Sequence, residues 1–289
     1  MRSLLFVPAD SDKKLDKGMT SGADALLIDL EDSVAAQNKA AARKQAATFL
    51  AKHVPAAARP ALIVRVNALA SGLIDADLEA IVAARPDAIL LPKAEGAASI
   101  QHLDAKLTAQ EALHGLPDGH IKVIAITTET AASLFVAGTY RNASPRLKGL
   151  TWGAEDLSAE LGAEANRDAN GRFLDPYRLA RTLCLAGAAA AQLQPIDTVY
   201  VDFRNTDGLR REAEEARRDG FTGKMAIHPA QVPVINEVFT PSPEAIAKAR
   251  AIVAAFDAAP GTGTIGIDGV MYDRPHLARA QALLARTKA

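Results

Sequence analysis

The chain has 289 residues and a formal net charge of −1, which excludes bulk electrostatic attraction to nucleic acid or anionic lipid. About half of its residues (49%) are hydrophobic and only 4% are aromatic, so it can bury one large aliphatic barrel core or two smaller ones. Cys184 is the only cysteine, which excludes an intrachain disulfide, and its Ala-rich surroundings predict a buried, inert thiol.

The sequence also bears on location. No apolar run approaches the ~20 residues that a membrane helix needs. Met1-Arg2 runs directly into a strand-like segment, which does not resemble a secretory signal. We therefore expect a cytoplasmic protein without membrane or nucleic-acid partners.

Eight short β-like runs follow one another along the chain, mostly separated by helix-like stretches. The predicted strands are Ser3–Val7, Asp24–Leu30, Ala61–Val66, Ala88–Leu91, Lys122–Ile126, Gly149–Trp152, Thr198–Val201 and Met225–Ile227. Several are continuous apolar runs, which is typical of parallel strands buried on both faces. The predicted helices are Asn38–Lys52, Asp75–Ala84, Ala97–Leu113, Tyr177–Gln192 and Asp207–Arg218.

Eight such units in about 240 residues predict a TIM (β/α)8 barrel over residues 1–240. The alternative is an open doubly wound sheet, which would favour a glycine-rich loop after the first strand. Val7 is instead followed by Pro-Ala-Asp-Ser-Asp.

The pattern changes after residue 240. Ser242–Ala258 and Pro275–Lys288 read as helices, and between them Thr264–Tyr272 reads as a hairpin around Asp268-Gly269, a favoured two-residue turn. We expect residues 241–289 to form a helical and hairpin extension that serves as a lid or an intersubunit arm.

Polar residues, most of them charged, lie at nearly every predicted strand end, where the active site of a TIM barrel lies. They are Asp29, Glu31, Asp32, Arg65, Asn67, Lys93, Glu95, Glu129, Glu155, Asp156, Asp202, Arg204 and His228. Many carboxylates with scattered histidines and a single cysteine favour Mg²⁺ over Zn²⁺.

Arg65, Lys13 and Lys17 can each be interpreted in two ways. Arg65 could grip a substrate carboxylate or stabilise an enolate oxygen, or it could form a structural ion pair. Lys13 and Lys17 are four residues apart on a predicted helix, so they share a face that could hold phosphates or simply be solvated.

The order and spacing of the motifs resemble the citrate lyase β-subunit family of the HpcH/HpaI aldolase superfamily, especially its stand-alone citramalyl-CoA and malyl-CoA lyases. The matching segments are Phe6-Val7-Pro8, Asp24 to Asp32, Arg65-Val66-Asn67, Leu91-Pro92-Lys93, Thr128 to Ala131, Gly153 to Leu157, Gly220 to Lys224, Ile227 to Gln231 and Met271 to His276. They span nearly the whole chain.

The resemblance implies a catalytic set. Glu129 and Asp156 would be the ligands of Mg²⁺, with Glu129 also at the substrate. Arg65 would bind the substrate beside the reacting carbons. Asp273 would be the general acid or base and would reach into a neighbouring subunit, since such proteins often form trimers.

The resemblance also implies a ligand path. Phe6, Lys13 and Lys17 would line the coenzyme A path, and Ile227 and His228 would contact the ligand from the opposite side. Asp29, Glu31, Asp32 and Lys93 are expected either to contribute to the site or only to brace the loops.

The implied function is Mg²⁺-dependent cleavage of a 3-hydroxyacyl-CoA diacid, citramalyl-CoA or malyl-CoA, to a 2-oxo acid and acetyl-CoA. Three alternatives stay open: a malyl-CoA thioesterase, a citrate lyase β-subunit acting on a carrier-protein thioester, and a catalytically silent barrel. The expected partners are the CoA thioester, the 2-oxo acid and further copies of the chain, as a trimer or a multiple of one.

Overall fold

The computed structural model describes residues 1–56 and 58–287, which divide into two compact units between Phe239 and Thr240. The first unit is a closed barrel of eight parallel strands in sequence order, which confirms the predicted TIM barrel. Its strands are β1 Ser3–Pro8, β2 Ala25–Asp29, β3 Ala61–Arg65, β4 Ala88–Leu91, β5 Lys122–Ile126, β6 Leu147–Thr151, β7 Gln194–Asp197 and β8 Gly223–Ala226.

Helices follow the strands of this unit. They are α1 Asp12–Met19, α2 Lys39–His53, α3 Ile74–Ile81, α4 Gly96–Leu113, α5 Ala131–Leu134, α6 Ala154–Glu160, α7 Asp175–Ala191, α8 Thr206–Asp219 and α9 Val232–Phe239. Within residues 1–56 and 58–287, no helix is both long enough and apolar enough to cross a lipid bilayer.

The alternation of side chains along the strands builds two core layers. Leu27 of β2 and Ile63 of β3 pack inside the barrel, whereas Leu26 and Leu62 belong to the outer layer between strands and helices. Fully burying one such aliphatic side chain contributes ~1.5–3 kcal/mol. Two residues beyond Leu27 and Ile63, the same inward face reaches the carboxyl ends of the strands, where the register pairs Asp29 with Arg65.

The seventh strand is four residues earlier than predicted. Thr198–Val201 looked like a strand because of its β-branched residues, but the pairing with β6 and β8 runs through Gln194–Asp197. Proline is disfavoured within a strand because it has no N–H group to donate, yet the Pro195 carbonyl oxygen still accepts a hydrogen bond from Thr222 N (3.0 Å). Asp202 and Arg204 consequently lie in an exposed loop instead of at the strand end.

The second unit has its own small core. Helix α10 (Pro243–Ala258), the hairpin strands β9 (Thr264–Ile267) and β10 (Val270–Asp273), and helix α11 (Arg274–Ala285) pack around Phe256 and Tyr272. The hairpin turns at Asp268 (φ 50°) and Gly269 (φ 78°), as the two-residue turn predicted. Lys288, the last residue of the predicted final helix, lies outside the described residues.

Candidate active site

A cavity of about 420 Å³ opens at the carboxyl ends of the barrel strands. Its wall includes residues from six different strands or the loops that follow them: Phe6, Asp29, Arg65, Glu129, Asp156 and Ile227. This is the end of a TIM barrel at which catalytic residues collect. The cavity is therefore the candidate active site.

Asp29 and Arg65 form a buried two-point ion pair in the cavity wall. Arg65 Nε and Nη2 each donate to one oxygen of Asp29 at 2.7 Å. Burial alone would raise the pKa of Asp29, but the Arg65 guanidinium outweighs it and lowers that pKa. Arg65 also lies 4.8 Å from the centre of the Phe6 ring. The guanidinium is thus permanently charged and held in one orientation.

Glu31 and Lys93 extend this charge cluster. Arg65 Nη1 lies 3.0 Å from Glu31 Oε2, an oxygen that is buried and accepts no hydrogen bond among the described residues. Lys93 Nζ contacts Glu31 Oε1 at 2.7 Å and Asp156 Oδ1 at 3.0 Å. Lys93 therefore neutralises two carboxylates that face the same space.

The backbone at Lys93 explains its position. Lys93 adopts φ 50°, a left-handed conformation that costs a non-glycine residue about 1–2 kcal/mol. In return its amide N–H donates to Glu129 Oε2 at 2.6 Å while its ammonium points to Glu31 and Asp156. At this strained turn after Pro92, Lys93 therefore contacts the carboxylates of Glu31, Glu129 and Asp156.

Glu129 is the most perturbed carboxyl group of the cluster. It is only 4% exposed, and burial together with the charge of Asp156 raises the pKa of Glu129 to about 8. Two neighbouring carboxylates that repel each other, one of them buried, are stabilised by a cation between them. Glu129 and Asp156 therefore form an acidic pair suited to a divalent cation.

The donor chemistry of this pair fits Mg²⁺. Within the described residues, no three His, Cys, Asp or Glu side chains converge into a ready-made metal cage. Mg²⁺ does not need one, because it commonly uses one or two carboxylates and fills its other positions with water and substrate oxygens. The residues present fit that pattern and not the three or four ligands of a zinc site.

Residues 2–229 match the family described as HpcH/HpaI aldolase/citrate lyase. The chain belongs to this family. The resemblance drawn from the motifs is thereby confirmed, as is the prediction of an enzyme of the lyase class at the level of the family.

The similarity to other proteins extends over nearly the whole chain. A (3S)-malyl-CoA thioesterase of Cereibacter sphaeroides strain KD131 is 37% identical over 294 residues, covering 100% of this chain and 95% of that protein. The mitochondrial citramalyl-CoA lyase of Rattus norvegicus is 34% identical over 299 residues, covering 98% and 85%. The crystal structure of protein CitE from Mycobacterium tuberculosis with magnesium, acetoacetate and coenzyme A has a TM-score of 0.77 at 32% identity, covering 100% and 98%.

The residues expected along a CoA path in this family member fall into two groups. Phe6 and Ile227 line the cavity. Lys13 and Lys17 lie exposed on α1, outside the cavity wall. His228 caps the turn that follows β8 and stacks on Phe203 with 4.6 Å between ring centres. Phe6 and Ile227 thus line the same cavity as Arg65, whereas His228 does not line it.

Asp273 belongs to the second compact unit, where it caps helix α11. Its carboxylate accepts a hydrogen bond from His276 N at 3.4 Å and also contacts His276 Nδ1. Those contacts lower the pKa of the Asp273 carboxyl group. A structural role is therefore visible for Asp273, and its catalytic role stays a prediction.

Some wall residues were not singled out from the sequence. Thr198 and Met225 line the cavity, but each is the first residue of a predicted strand, because the seventh and eighth strands are predicted too late in the chain. Trp152 lines it from just beyond the end of β6. The signal that could have found Thr198 is its position directly after the polar Asp197, which ends β7.

Proposed function

We propose that this protein is a Mg²⁺-dependent carbon–carbon lyase. Its substrate would be a 3-hydroxyacyl-CoA diacid, either citramalyl-CoA or malyl-CoA, and its products a 2-oxo acid and acetyl-CoA. The observation that carries the proposal is the meeting of Glu129, Asp156 and the fixed Arg65 guanidinium in one cavity. A 2-oxo acid presents oxygens to a cation and a carboxylate to a guanidinium, which matches that set.

Mg²⁺ would be held by Glu129 and Asp156 and, when bound, supplies a Lewis acid that draws charge from substrate oxygens. Arg65 would add a second positive charge beside the reacting carbons. Its Nε and Nη2 donate to Asp29, and its Nη1 lies 3.0 Å from Glu31 Oε2, so a ligand would share Nη1 with Glu31. Because the guanidinium is already oriented, it needs no rearrangement when negative charge develops.

In the cleavage direction the substrate hydroxyl loses its proton and the bond between C2 and C3 of the acyl group breaks. One product is the 2-oxo acid, and the other is the enolate of acetyl-CoA, which must gain a proton at carbon. We assign that proton transfer to Asp273, on the resemblance of Met271 to His276 to the family's C-terminal segment. The extension would act in a homo-oligomer, with a trimer as the expected assembly.

Thioester hydrolysis is a second candidate, favoured by the 37% identity to a malyl-CoA thioesterase. The same charged cavity could hold malyl-CoA while water attacks the thioester carbonyl. The products would then be malate and free CoA. Glyoxylate and pyruvate differ by one methyl group, which changes the binding free energy in a pocket by only ~1–3 kcal/mol. Whether the substrate is malyl-CoA or citramalyl-CoA therefore has to be measured directly.

The deciding experiment measures turnover of citramalyl-CoA and malyl-CoA with Mg²⁺ and with EDTA, detecting pyruvate, glyoxylate and free thiol separately. Mg²⁺-dependent release of a 2-oxo acid without free thiol establishes the lyase and its substrate. Free thiol together with malate establishes the thioesterase. Inactivity on both free CoA esters would overturn both and favour a substrate held on a carrier protein.

Two variants and a control tie the activity to the cavity. Glu129→Gln and Asp156→Asn each remove one proposed metal ligand, and we expect each to lower turnover by about 10²-fold or more. Glu160→Gln removes a carboxylate from the exposed end of the same helix, α6, and should leave turnover unchanged. Equal losses in all three variants would point to a general effect on α6 and contradict the assignment.

A further inference from the structure

A second recess, of about 790 Å³, lies on the outer side of the barrel between α7 and α8. No residue of its wall is shared with the cavity at the barrel mouth. Arginines dominate its polar surface: Arg167, Arg172, Arg178, Arg181 and Arg211. We call this recess the arginine groove.

Two of these arginines are neutralised inside the groove. Arg167 Nη1 donates to Glu212 Oε2 at 2.7 Å, and Arg181 Nη1 contacts Asp219 Oδ2 at 2.6 Å. Arg181 Nη2 is nevertheless buried without a hydrogen-bond partner among the described residues. Burying a guanidinium N–H group without an acceptor is unfavourable in free energy. An oxygen atom of a ligand that accepts from Arg181 Nη2 would remove this cost.

The other three arginines have no such countercharge. The side chains of Arg172, Arg178 and Arg211 make no hydrogen bond or ion pair with any residue in 1–56 or 58–287. Glu215 is the remaining carboxylate of the wall, so five arginines face three acids. The surplus of positive charge in one recess favours an anion with several oxygens, because guanidinium groups bind such groups through paired hydrogen bonds.

The aromatic end of the groove is held in a fixed shape. Arg167 lies over the Phe173 ring at 3.6 Å from its centre, and Tyr200 packs beside them. A β-carbon at Gly208 would lie 2.1 Å from Tyr200 Oη, so only glycine lets Tyr200 lie against the start of α8. The groove is thus formed before any ligand arrives, which lowers the entropic cost of binding.

A buried chain of polar contacts links the groove to the barrel mouth. Trp152, which lines the mouth cavity, donates from Nε1 to Asp197 Oδ1 at 2.8 Å. Lys224 Nζ joins Asp197 Oδ2 (2.7 Å) to Glu212 Oε1 (2.8 Å), and Glu212 binds Arg167. Lys224 and Asp197 are almost fully buried, so solvent screens the electrostatic interactions along this chain of contacts only weakly.

We propose that the arginine groove is a second ligand site, which binds a small molecule carrying two or more linked phosphate groups. The phosphate oxygens bind Arg172, Arg178 and Arg211, and the buried Arg181 Nη2 approaches the same ligand. Occupancy is transmitted to Trp152 through Arg181, whose Nε lies 3.5 Å from Asp197 Oδ1, the oxygen that also accepts from the indole. A second route is the Phe173 ring, which lies edge-on to the indole with 5.0 Å between centres.

Trp152 makes the proposal directly measurable, because it is the only tryptophan of the chain. The probe is inorganic pyrophosphate, titrated into the full chain in EDTA while tryptophan fluorescence is recorded, with calorimetry in parallel. We expect saturable binding and a change in fluorescence. In Arg178→Ala/Arg211→Ala, affinity should fall about tenfold or more for each lost charge-assisted contact.

The matched control is Arg217→Ala/Arg218→Ala, which removes the same charge from the exposed last turn of α8, outside the groove. It should bind pyrophosphate like the unmodified protein. Absence of saturable binding by both methods overturns the proposal, as does binding that survives in Arg178→Ala/Arg211→Ala. The groove would not be a separate site if that variant also lost its affinity for coenzyme A to the same degree, and thermal unfolding of each variant verifies its fold.

Discussion

Gly153 lies so close to the Glu129 side chain that a β-carbon there would be 2.7 Å from Glu129 Cγ and 3.0 Å from Oε1. The backbone of Gly153 (φ −125°, ψ 120°) is extended and would accept any residue. Glycine is therefore required at this position by the neighbouring carboxylate and not by its own conformation. Gly153 is the N-cap residue of α6, the helix that carries Asp156, and at the same time it makes room for Glu129.

The Gly153→Ala variant should misplace Glu129 without disturbing the rest of the barrel. We expect Mg²⁺-dependent turnover to fall by about 10²-fold, since a carboxylate displaced by about 1 Å loses its alignment. Gly138→Ala is the control, because a β-carbon there meets no atom within 4 Å. Steady-state turnover and thermal unfolding of both variants check the prediction, and full activity in Gly153→Ala would refute it.

The Arg65→Lys variant tests the two-point contact with Asp29. Lysine keeps the charge but cannot bind both carboxylate oxygens in one plane, so buried Asp29 loses a hydrogen bond at a cost of about 1–3 kcal/mol. We expect turnover to fall by about 10²–10³-fold.

Arg59→Lys is a matched control for Arg65→Lys. Arg59 also grips an aspartate, Asp87, through two nitrogens, but that pair lies at the amino end of β4, away from the mouth. It should lower the unfolding temperature and leave turnover per folded molecule unchanged. Similar turnover losses in both variants would mean that Arg65 acts through stability alone.

Much of the fold could be predicted because the decisive signals are local. Apolar runs such as Ala25–Asp29 and Ala88–Leu91 are buried at every residue, and parallel burial on both faces produces that pattern. Gln194–Asp197 could not be recognised, because its glutamine, proline and aspartate are stabilised by tertiary contacts. Asp197, for example, is held by Lys224, which is distant in sequence.

The site was predictable only in part. Arg65, Glu129 and Asp156 could be assigned to the candidate site because each lies at or after the end of a strand, and strand ends converge in a barrel; their individual roles were implied only by the family resemblance. The left-handed turn at Lys93 and the fit of Gly153 against Glu129 depend on side chains from other strands. No local pattern encodes such contacts.

The loss of folding stability in acid should depend in part on Asp24. Burial raises its pKa, but hydrogen bonds from the Arg2 amide (2.6 Å) and guanidinium (2.7 Å) outweigh this and lower the pKa of Asp24. A depressed carboxyl pKa contributes stability above the unfolded value of about 3.9 and loses it as pH falls through the folded value. The unfolding free energy of the unmodified protein should exceed that of Asp24→Asn by a constant amount near neutral pH. This difference should shrink below about pH 4. Denaturant titrations across pH check this, and a difference that grows in acid would contradict it.

Cys184 should not react in the folded protein. It is fully buried, and burial raises the pKa of its thiol to about 12, so almost no thiolate exists at neutral pH. An aromatic disulfide reagent should modify it only after denaturation. The same reagent then reports released CoA thiol without background, which the thioesterase test requires. Prompt modification of one thiol per native chain would contradict the prediction.

Asp273 can be tested by separating its capping role from a catalytic one. Asparagine caps a helix about as well as aspartate, whereas alanine costs about 1 kcal/mol. If Asp273 transfers a proton, Asp273→Asn should lose at least about 10²-fold in turnover while its unfolding temperature stays unchanged. Asp273→Ala should lose both, because the contact with His276 N disappears. Wild-type turnover in Asp273→Asn would leave this residue as a helix cap and move the search for the proton donor to the barrel.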